Sequence, residues 1–223
     1  MKTRILSAAL LATGLIVSSA SFAQLNLQQF GIGGGNSSGN AGAAASTGGI
    51  GQLLQNYVGA NQQVLSGQSS LASAMGLSSA ASQAQQASGL LSGGTPSVSQ
   101  LSQVGSTQQS LSQTLTQAFA SRGSDSSTPV DKQAFSNGLA SLGQGVSQYS
   151  SLQSSLGSIG QMSPSSLLQS GMNPQSAQAA SYIAQSAPGQ LQSLASTLSA
   201  AVQFATSHGI SVPSIATSAL KGF

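Results

Sequence analysis

The sequence predicts an all-α protein, a multi-helix bundle of about five or six helices that follows a signal peptide and a flexible Gly-rich segment. Apolar residues recur at spacings of three and four over long stretches, which places them on one face of a helix. Alternation with a period of two is almost absent apart from Leu25 and Leu27. Helix start and stop signals also fall where the apolar spacing begins and ends, so the two kinds of pattern agree.

The first 23 residues have the three parts of a secretory signal peptide. Lys2 and Arg4 form a basic start, an apolar run covers residues 5–17, and small residues at Ser21 and Ala23 fit a cleavage site. We therefore expect residues 1–23 to be removed and the protein to be secreted or periplasmic. No later segment is apolar enough to suggest a transmembrane span in the mature chain.

Residues 24–51 are rich in Gly, Ser, Asn and Ala and are predicted to form a flexible tether. The helical bundle is expected to occupy the rest of the chain, residues 52–223. The charged turn between Arg122 and Pro129 allows an alternative division of this bundle into two halves, residues 52–122 and 129–223.

Within the bundle, the apolar spacing predicts the helices in order. A short helix is expected from about residue 52 to 66, followed by a second that carries apolar positions from residue 71 to 91. A third, long helix is expected over residues 98–119. The most regular spacing covers residues 135–159, and a last helix is predicted over residues 191–205.

Helix boundaries are predicted from residue chemistry. A polar residue that precedes Pro can cap a helix start, and this occurs at Thr95-Pro96, Thr128-Pro129, Ser163-Pro164 and Asn173-Pro174. After Thr128, Asp131 is expected at the third helical position as the acidic partner of a capping box. Helix ends are predicted at Arg122-Gly123 and His208-Gly209, with Ile210 at the position of the apolar contact that often follows a C-cap.

The scarcity of charge excludes several classes of function. Charged residues make up 3% of the chain, against about a quarter in an ordinary globular domain. After removal of the signal peptide, three basic side chains remain against two acidic ones, which leaves a net charge of +1. A basic surface for nucleic acid is therefore excluded. The chain also has no Cys and one His, so multi-His or Cys metal sites are excluded, and we predict no metal or cofactor.

The remaining chemical candidates are better explained by structural roles. His208 is expected at a helix C-terminus, where its ring can interact with the last carbonyl groups. Asp125 and Asp131 lie at a turn and a helix start, which are ordinary positions for Asp. The G-x-S-x-G spelling at residues 35–39 and the Gly31-Ile32-Gly33 run both lie in the predicted tether, without a strand-to-helix context. No catalytic, cofactor-binding or metal-binding residue is assigned.

Four glycines interrupt the most regular apolar segment, at Gly138, Gly143, Gly145 and Gly157. Each glycine costs about 0.5–1 kcal/mol relative to Ala inside a helix. Two explanations remain open. The glycines either allow close approach of a neighbouring helix or mark a loosely packed, broken helix.

These observations favour an exported, non-enzymatic helical protein that acts through contact surfaces. Its partner would be a second copy of itself, in a homo-oligomer, or a component of the cell envelope or matrix. One alternative is a carrier for an apolar small molecule, with Leu, Ala and Gly faces lining a cavity. A more remote alternative is a hydrolase that uses His208 and a serine.

Overall fold

A computed structural model describes residues 41–122, 129–159, 165, 168 and 173–222. In this part of the chain there are six helices and no strand, which confirms the predicted all-α bundle. The predicted signal peptide and residues 24–40 lie outside the described residues. The six helices are α1 (Ala41–Ala74), α2 (Ser78–Gly89), α3 (Val98–Ser121), α4 (Lys132–Ile159), α5 (Pro174–Ser207) and α6 (Ser214–Leu220).

Helix α1 differs from its prediction at both ends. It begins at Ala41, so residues 41–51 of the segment predicted as a tether are helical. It then continues to Ala74, and the predicted break between residues 66 and 71 was wrong. Two residues at this point are buried between helices: Gly67 packs on the backbone of α4, and Gln68 donates hydrogen bonds to α3. Tertiary packing therefore stabilises a helix that the local apolar pattern does not extend.

One of the predicted Pro boundaries is confirmed, and two lie at different residues. Asn173 caps α5, because its side-chain oxygen accepts a hydrogen bond from the Ser176 N–H at 2.7 Å and Pro174 opens the helix. Helix α3 starts after Ser97, which forms a capping box with Gln100, and not at Thr95-Pro96. Helix α4 begins at Lys132.

Asp131 itself has the capping role at the start of α4. Its Oδ1 accepts a hydrogen bond from the Ala134 N–H at 3.0 Å, so its prediction as the third helical residue was wrong. The chain therefore enters α4 later than the Thr128-Pro129 pair suggests. Thr128 and the Ser163-Pro164 pair lie outside the described residues.

The predicted stop at His208-Gly209 is confirmed. Helix α5 ends at Ser207, His208 is its C-cap residue, and Gly209 has a φ of +61°, which a side chain would strain. The Ile210 N–H donates to the Ala205 carbonyl at 2.8 Å, and Ile210 is buried. Arg122 likewise caps the end of α3.

The glycines of α4 lie at close helix contacts, which confirms the first of the two explanations for three of the four positions. A Cβ atom added at Gly138 would lie 2.9 Å from the backbone nitrogen of Leu71, and one at Gly145 would lie 2.9 Å from that of Val64. Gly143 meets the backbone of Ala216 in α6 in the same way. Gly157 falls outside the residues whose surroundings are described.

Helix α4 packs against α1, α5 and α6, and α3 packs against α2 and α5. The core between these helices consists mostly of Leu, Ala and Val side chains. At one end of the core three phenylalanine rings, Phe119, Phe135 and Phe204, lie with their centroids 5.3–5.7 Å apart. No helix in the described ranges is long and apolar enough to cross a bilayer.

Candidate functional site

A group of uncharged polar side chains lies inside the bundle and connects its four long helices. We call this group the polar network; its members are Tyr57, Asn61 and Gln68 of α1, Gln108 and Ser112 of α3, Tyr149 of α4 and Gln190 of α5. Six of these residues are buried, and Gln190 is partly exposed. Buried polar groups need hydrogen-bond partners, so the network can form only when the four helices are in register.

Gln190 holds two tyrosines at the centre of the network. The phenol hydroxyls of Tyr57 and Tyr149 both donate to Gln190 Oε1, at 2.8 and 3.1 Å. The two tyrosine rings contact each other edge to face, with centroids 5.5 Å apart. These contacts fix the orientation of the Gln190 amide. With Oε1 occupied in this way, Nε2 must point away from the tyrosines.

The second half of the network joins α1 to α3. Asn61 Nδ2 donates to the Tyr57 carbonyl at 2.7 Å, and Gln108 Nε2 donates to Asn61 Oδ1 at 2.8 Å. Gln68 Nε2 donates to the Gln108 carbonyl at 3.2 Å and to Ser112 Oγ at 3.0 Å. The donors are satisfied, but Gln68 Oε1 and Gln108 Oε1 are buried acceptors without a partner. An unpartnered buried polar atom of this kind costs about 1–3 kcal/mol.

Burial perturbs both tyrosines of the network. It raises the pKa of Tyr57, an effect that the hydrogen-bonding neighbours only partly oppose. The pKa of Tyr149 lies well above its ordinary value, first because of burial and then because of the nearby Tyr57 phenol. Both phenols are therefore neutral hydrogen-bond donors at physiological pH, and the network carries no charge.

A cleft of about 420 Å³ opens above the network between α3 and α5, and we call it the α3–α5 cleft. Every residue that lines it is uncharged, and only Leu194 has an aliphatic side chain larger than a methyl group. The lining residues are Ser102, Gly105, Ser106, Gln108, Gln109, Ser112, Tyr182, Ser186, Gly189, Gln190, Ser193 and Leu194.

Two network residues that line this cleft have unused hydrogen-bonding atoms. Gln108 lines it, is only 2% exposed, and its Oε1 has no partner. Gln190 also lines it, and its Nε2 donates no hydrogen bond within the part of the chain that the structure describes. That amide nitrogen lies 2.6 Å from the position a Cβ would take on Gly105. The absence of a side chain at Gly105 therefore makes room for the free donor.

A second hollow of about 350 Å³ continues the cleft along the same two helices. It shares Ser112 and Ser193 with the α3–α5 cleft, and its lining residues are Ser112, Gln113, Thr116, Gln117, Ser193, Ser196 and Thr197. We call the two hollows together the α3–α5 groove; most of the side chains that line it carry a hydroxyl or an amide group.

The sequence-derived chemical candidates lie elsewhere. The ring of His208 stacks on Phe204, with centroids 3.9 Å apart, and its Nδ1 lies 2.9 Å from the Phe204 carbonyl oxygen. This is the helix-end role predicted for it. Ser207 Oγ lies 3.0 Å from the same nitrogen but donates to the Phe204 carbonyl at 2.9 Å, so the hydroxyl proton is already engaged.

No acidic side chain joins this Ser-His pair among the hydrogen bonds of the described residues. Asp131 caps α4, as described above, and Asp125, like residues 31–39, falls in the undescribed part of the chain. Likewise, the described ranges contain no group of three or more His, Cys, Asp or Glu side chains that could hold a metal ion.

The residues of the cleft were not singled out from the sequence. Gln and Ser are so frequent along the chain that Gln108 and Gln190 are indistinguishable from exposed glutamines. The position of Gln108 along the helix could have indicated its burial. It lies four residues after Val104 and three before Leu111, on the helix face where an apolar residue would be expected.

The chain shows no significant match to any protein-family model, curated protein or solved structure. The function is therefore inferred from the geometry of the cleft.

Proposed function

We propose that this is an exported, non-enzymatic helical protein that binds an uncharged component of the cell envelope or matrix in the α3–α5 cleft. The observation that carries the proposal is the buried, unpartnered Oε1 of Gln108, a residue that lines a cleft of uncharged residues. A ligand that donates a hydrogen bond to this atom would offset the cost of its burial. The volume of the cleft, about 420 Å³, lies within the range of small-molecule binding sites.

The chemistry of the cleft supports binding rather than catalysis. A hydrolase needs a nucleophile activated by a base and an orienting group. The lining side chains are hydroxyls, amides, one phenol and one leucine, with no carboxylate, imidazole or amine among them. They can hold a ligand by hydrogen bonds, and they include none of the groups that most often act as general bases.

The remaining interpretations receive less support. For a carrier of apolar molecules, Leu and Ala faces would have to line a cavity, but these side chains pack against each other in the core. For self-association by apolar contacts, an exposed apolar patch would be needed. Leu168 and Ile215 are the exposed large apolar side chains of the described residues.

A co-sedimentation experiment tests the proposal. The mature protein is incubated with the insoluble cell-envelope fraction of the producing organism and, separately, with its extracellular matrix material. The key variant is Ser193→Gln, which places a larger uncharged side chain where the two hollows of the groove meet. The matched control is Ser82→Gln, the same substitution at an exposed position of α2.

The wild-type protein and Ser82→Gln should sediment equally with one of these fractions, and Ser193→Gln should lose at least nine-tenths of that binding. Binding should also be nearly unchanged between low and high salt, because neutral groups make the contacts. Equal sedimentation of Ser193→Gln and Ser82→Gln, with both variants folded by circular dichroism, would place the binding surface elsewhere and refute the proposal.

A further inference from the structure

The α3–α5 groove is long compared with a single small molecule. Its lining residues on α3 extend from Ser102 to Gln117. At a rise of about 1.5 Å per residue, this stretch of helix is about 22 Å long. Ser112 and Ser193 line both hollows, so the two lie next to each other along the same pair of helices. A ligand that fills the groove is therefore an extended chain.

The polar atoms of the groove require a ligand that both donates and accepts hydrogen bonds. Gln108 Oε1 needs a donor, and Gln190 Nε2 needs an acceptor. In the second hollow, the hydroxyls of Thr116 and Thr197 donate to carbonyls of their own helices and can still accept. The hydroxyls of Ser193 and Ser196 can play either role. A chain of hydroxyl groups meets all of these requirements, since each hydroxyl donates once and accepts twice. A polymer with acceptors alone would leave Gln108 Oε1 unsatisfied.

Tyr182 adds an apolar surface to the groove. It is half-buried, lines the α3–α5 cleft and has its hydroxyl 3.4 Å from the Cβ position of Gly105. The face of an aromatic ring suits the C–H face of a sugar ring, which is the apolar part of an otherwise hydroxyl-rich molecule. The Tyr182 hydroxyl and the Gln190 amide both approach Gly105, so the phenol and the free amide donor lie close together.

From these observations we infer that the ligand is a linear, uncharged oligosaccharide, with one part of the strand in the α3–α5 cleft and its continuation in the second hollow. This inference rests on the proposed function and specifies its ligand class. The lining contains no charged side chain, so a strand that carries carboxylates or sulfates would find no oppositely charged partner in the groove.

Isothermal titration calorimetry with oligosaccharides of one to six units tests the inference. The probes are β-1,4-linked chains of glucose and of N-acetylglucosamine. In at least one series, the affinity should rise tenfold or more from the single sugar to the chain that fills the groove and then level off. Ser193→Gln should weaken binding of the long chain at least tenfold and bring its Kd close to that of the single sugar. Ser82→Gln should bind as the wild-type protein does.

Gly105→Ala gives an independent test that does not alter the middle of the groove. Its methyl group displaces the Gln190 amide, which is the flexible end of a side chain, so the fold should be retained. We expect at least a fivefold loss of affinity for every chain length. Gly59→Ala, at a position with no heavy atom within 4 Å, is the control and should bind as the wild-type protein does.

Two further measurements test the other possible occupants of the groove. A synthetic peptide with the sequence of residues 24–40 is titrated as an uncharged polypeptide ligand. Light scattering of the protein alone shows whether a second copy of the chain binds to form a dimer. Tighter binding of the peptide than of any sugar chain would overturn the inference, as would a dimer abolished by Ser193→Gln. If both sugar series fail to bind while envelope sedimentation still depends on Ser193, the inference fails and the proposed function survives.

Discussion

The contact between α1 and α4 leaves no room for a side chain at Gly67. We therefore predict that the substitution Gly67→Ala, which adds one methyl group, destabilises the protein. A Cβ atom added at Gly67 would lie 2.6 Å from the backbone nitrogen of Leu142 and 2.9 Å from the Gly138 carbonyl oxygen. Both of these are backbone atoms inside a helix, so neither can rotate away. The Gly67→Ala chain can accommodate its methyl group only if α1 and α4 separate, which loosens the core between them.

Two opposing effects determine how much Gly67→Ala changes the free energy of unfolding. Forcing a methyl group into a close-packed contact typically costs about 1–3 kcal/mol. Because the neighbouring atoms are backbone atoms, we expect a cost of about 3 kcal/mol at Gly67. The gain in helix propensity from Gly to Ala offsets about 1 kcal/mol. We therefore expect Gly67→Ala to lower the free energy of unfolding by about 2 kcal/mol.

The same substitution at Gly59 provides the control, because this residue also lies inside α1 but has no atom within 4 Å of its Cβ position. Gly59→Ala should raise the free energy of unfolding by about 1 kcal/mol. The two variants should thus differ by about 3 kcal/mol, or about 6–12 °C in Tm for a domain of this size. Thermal and urea unfolding followed by circular dichroism measure both. Equal stability of the two variants would refute the close packing of α1 on α4.

The remaining predictions concern pH, salt, a helix cap and the lone histidine. Stability should fall above about pH 10, by up to about 1.4 kcal/mol per pH unit for each phenol, because the unfolded chain loses protons that buried Tyr57 and Tyr149 retain. Urea unfolding on either side of pH 10 measures this, and a double substitution to Phe should remove the slope. With 3% charged residues, Tm should change little from mildly acidic to mildly alkaline buffer or from low to high salt, and a shift of many degrees would contradict this. Asn173→Ala should cost about 1 kcal/mol in urea unfolding, because the N–H of Ser176 loses its cap, whereas Asn173→Ser should retain most of the stability. His208→Ala should bind the envelope fraction as the wild-type protein does, because its ring does not line the cleft.

The sequence predicted the helices whose buried faces are apolar. In α4, the positions from Phe135 to Leu152 that carry the three- and four-residue spacing are all buried. The ends that depend on local hydrogen bonds, at Asn173 and His208, were also predictable. Local chemistry sufficed in these places because the same residues that define the helix also bury or cap it.

Two features could not be predicted, for one physical reason: that α1 continues without a break, and that a cleft lies between α3 and α5. Both depend on polar residues that are buried only because another helix supplies their partners. Gln68 reaches residues of α3 that are 40 and 44 positions away in the chain. In a chain so rich in Gln and Ser, residue type alone does not distinguish a buried amide from a solvated one.

The hydrogen bonds of Gln190 link the packing of the bundle to its proposed binding site. Two tyrosines from α1 and α4 hold the amide oxygen, so the free nitrogen is fixed in direction before any ligand is present. An unconstrained side chain would lose about 0.5–1.5 kcal/mol of conformational freedom when it binds, and this cost is already met in the folded protein. The buried polar network therefore lowers the stability of the core through its unpartnered acceptors, and it would strengthen the ligand binding that we propose. A protein whose surface offers almost no charge for attraction has particular need of such preorganisation.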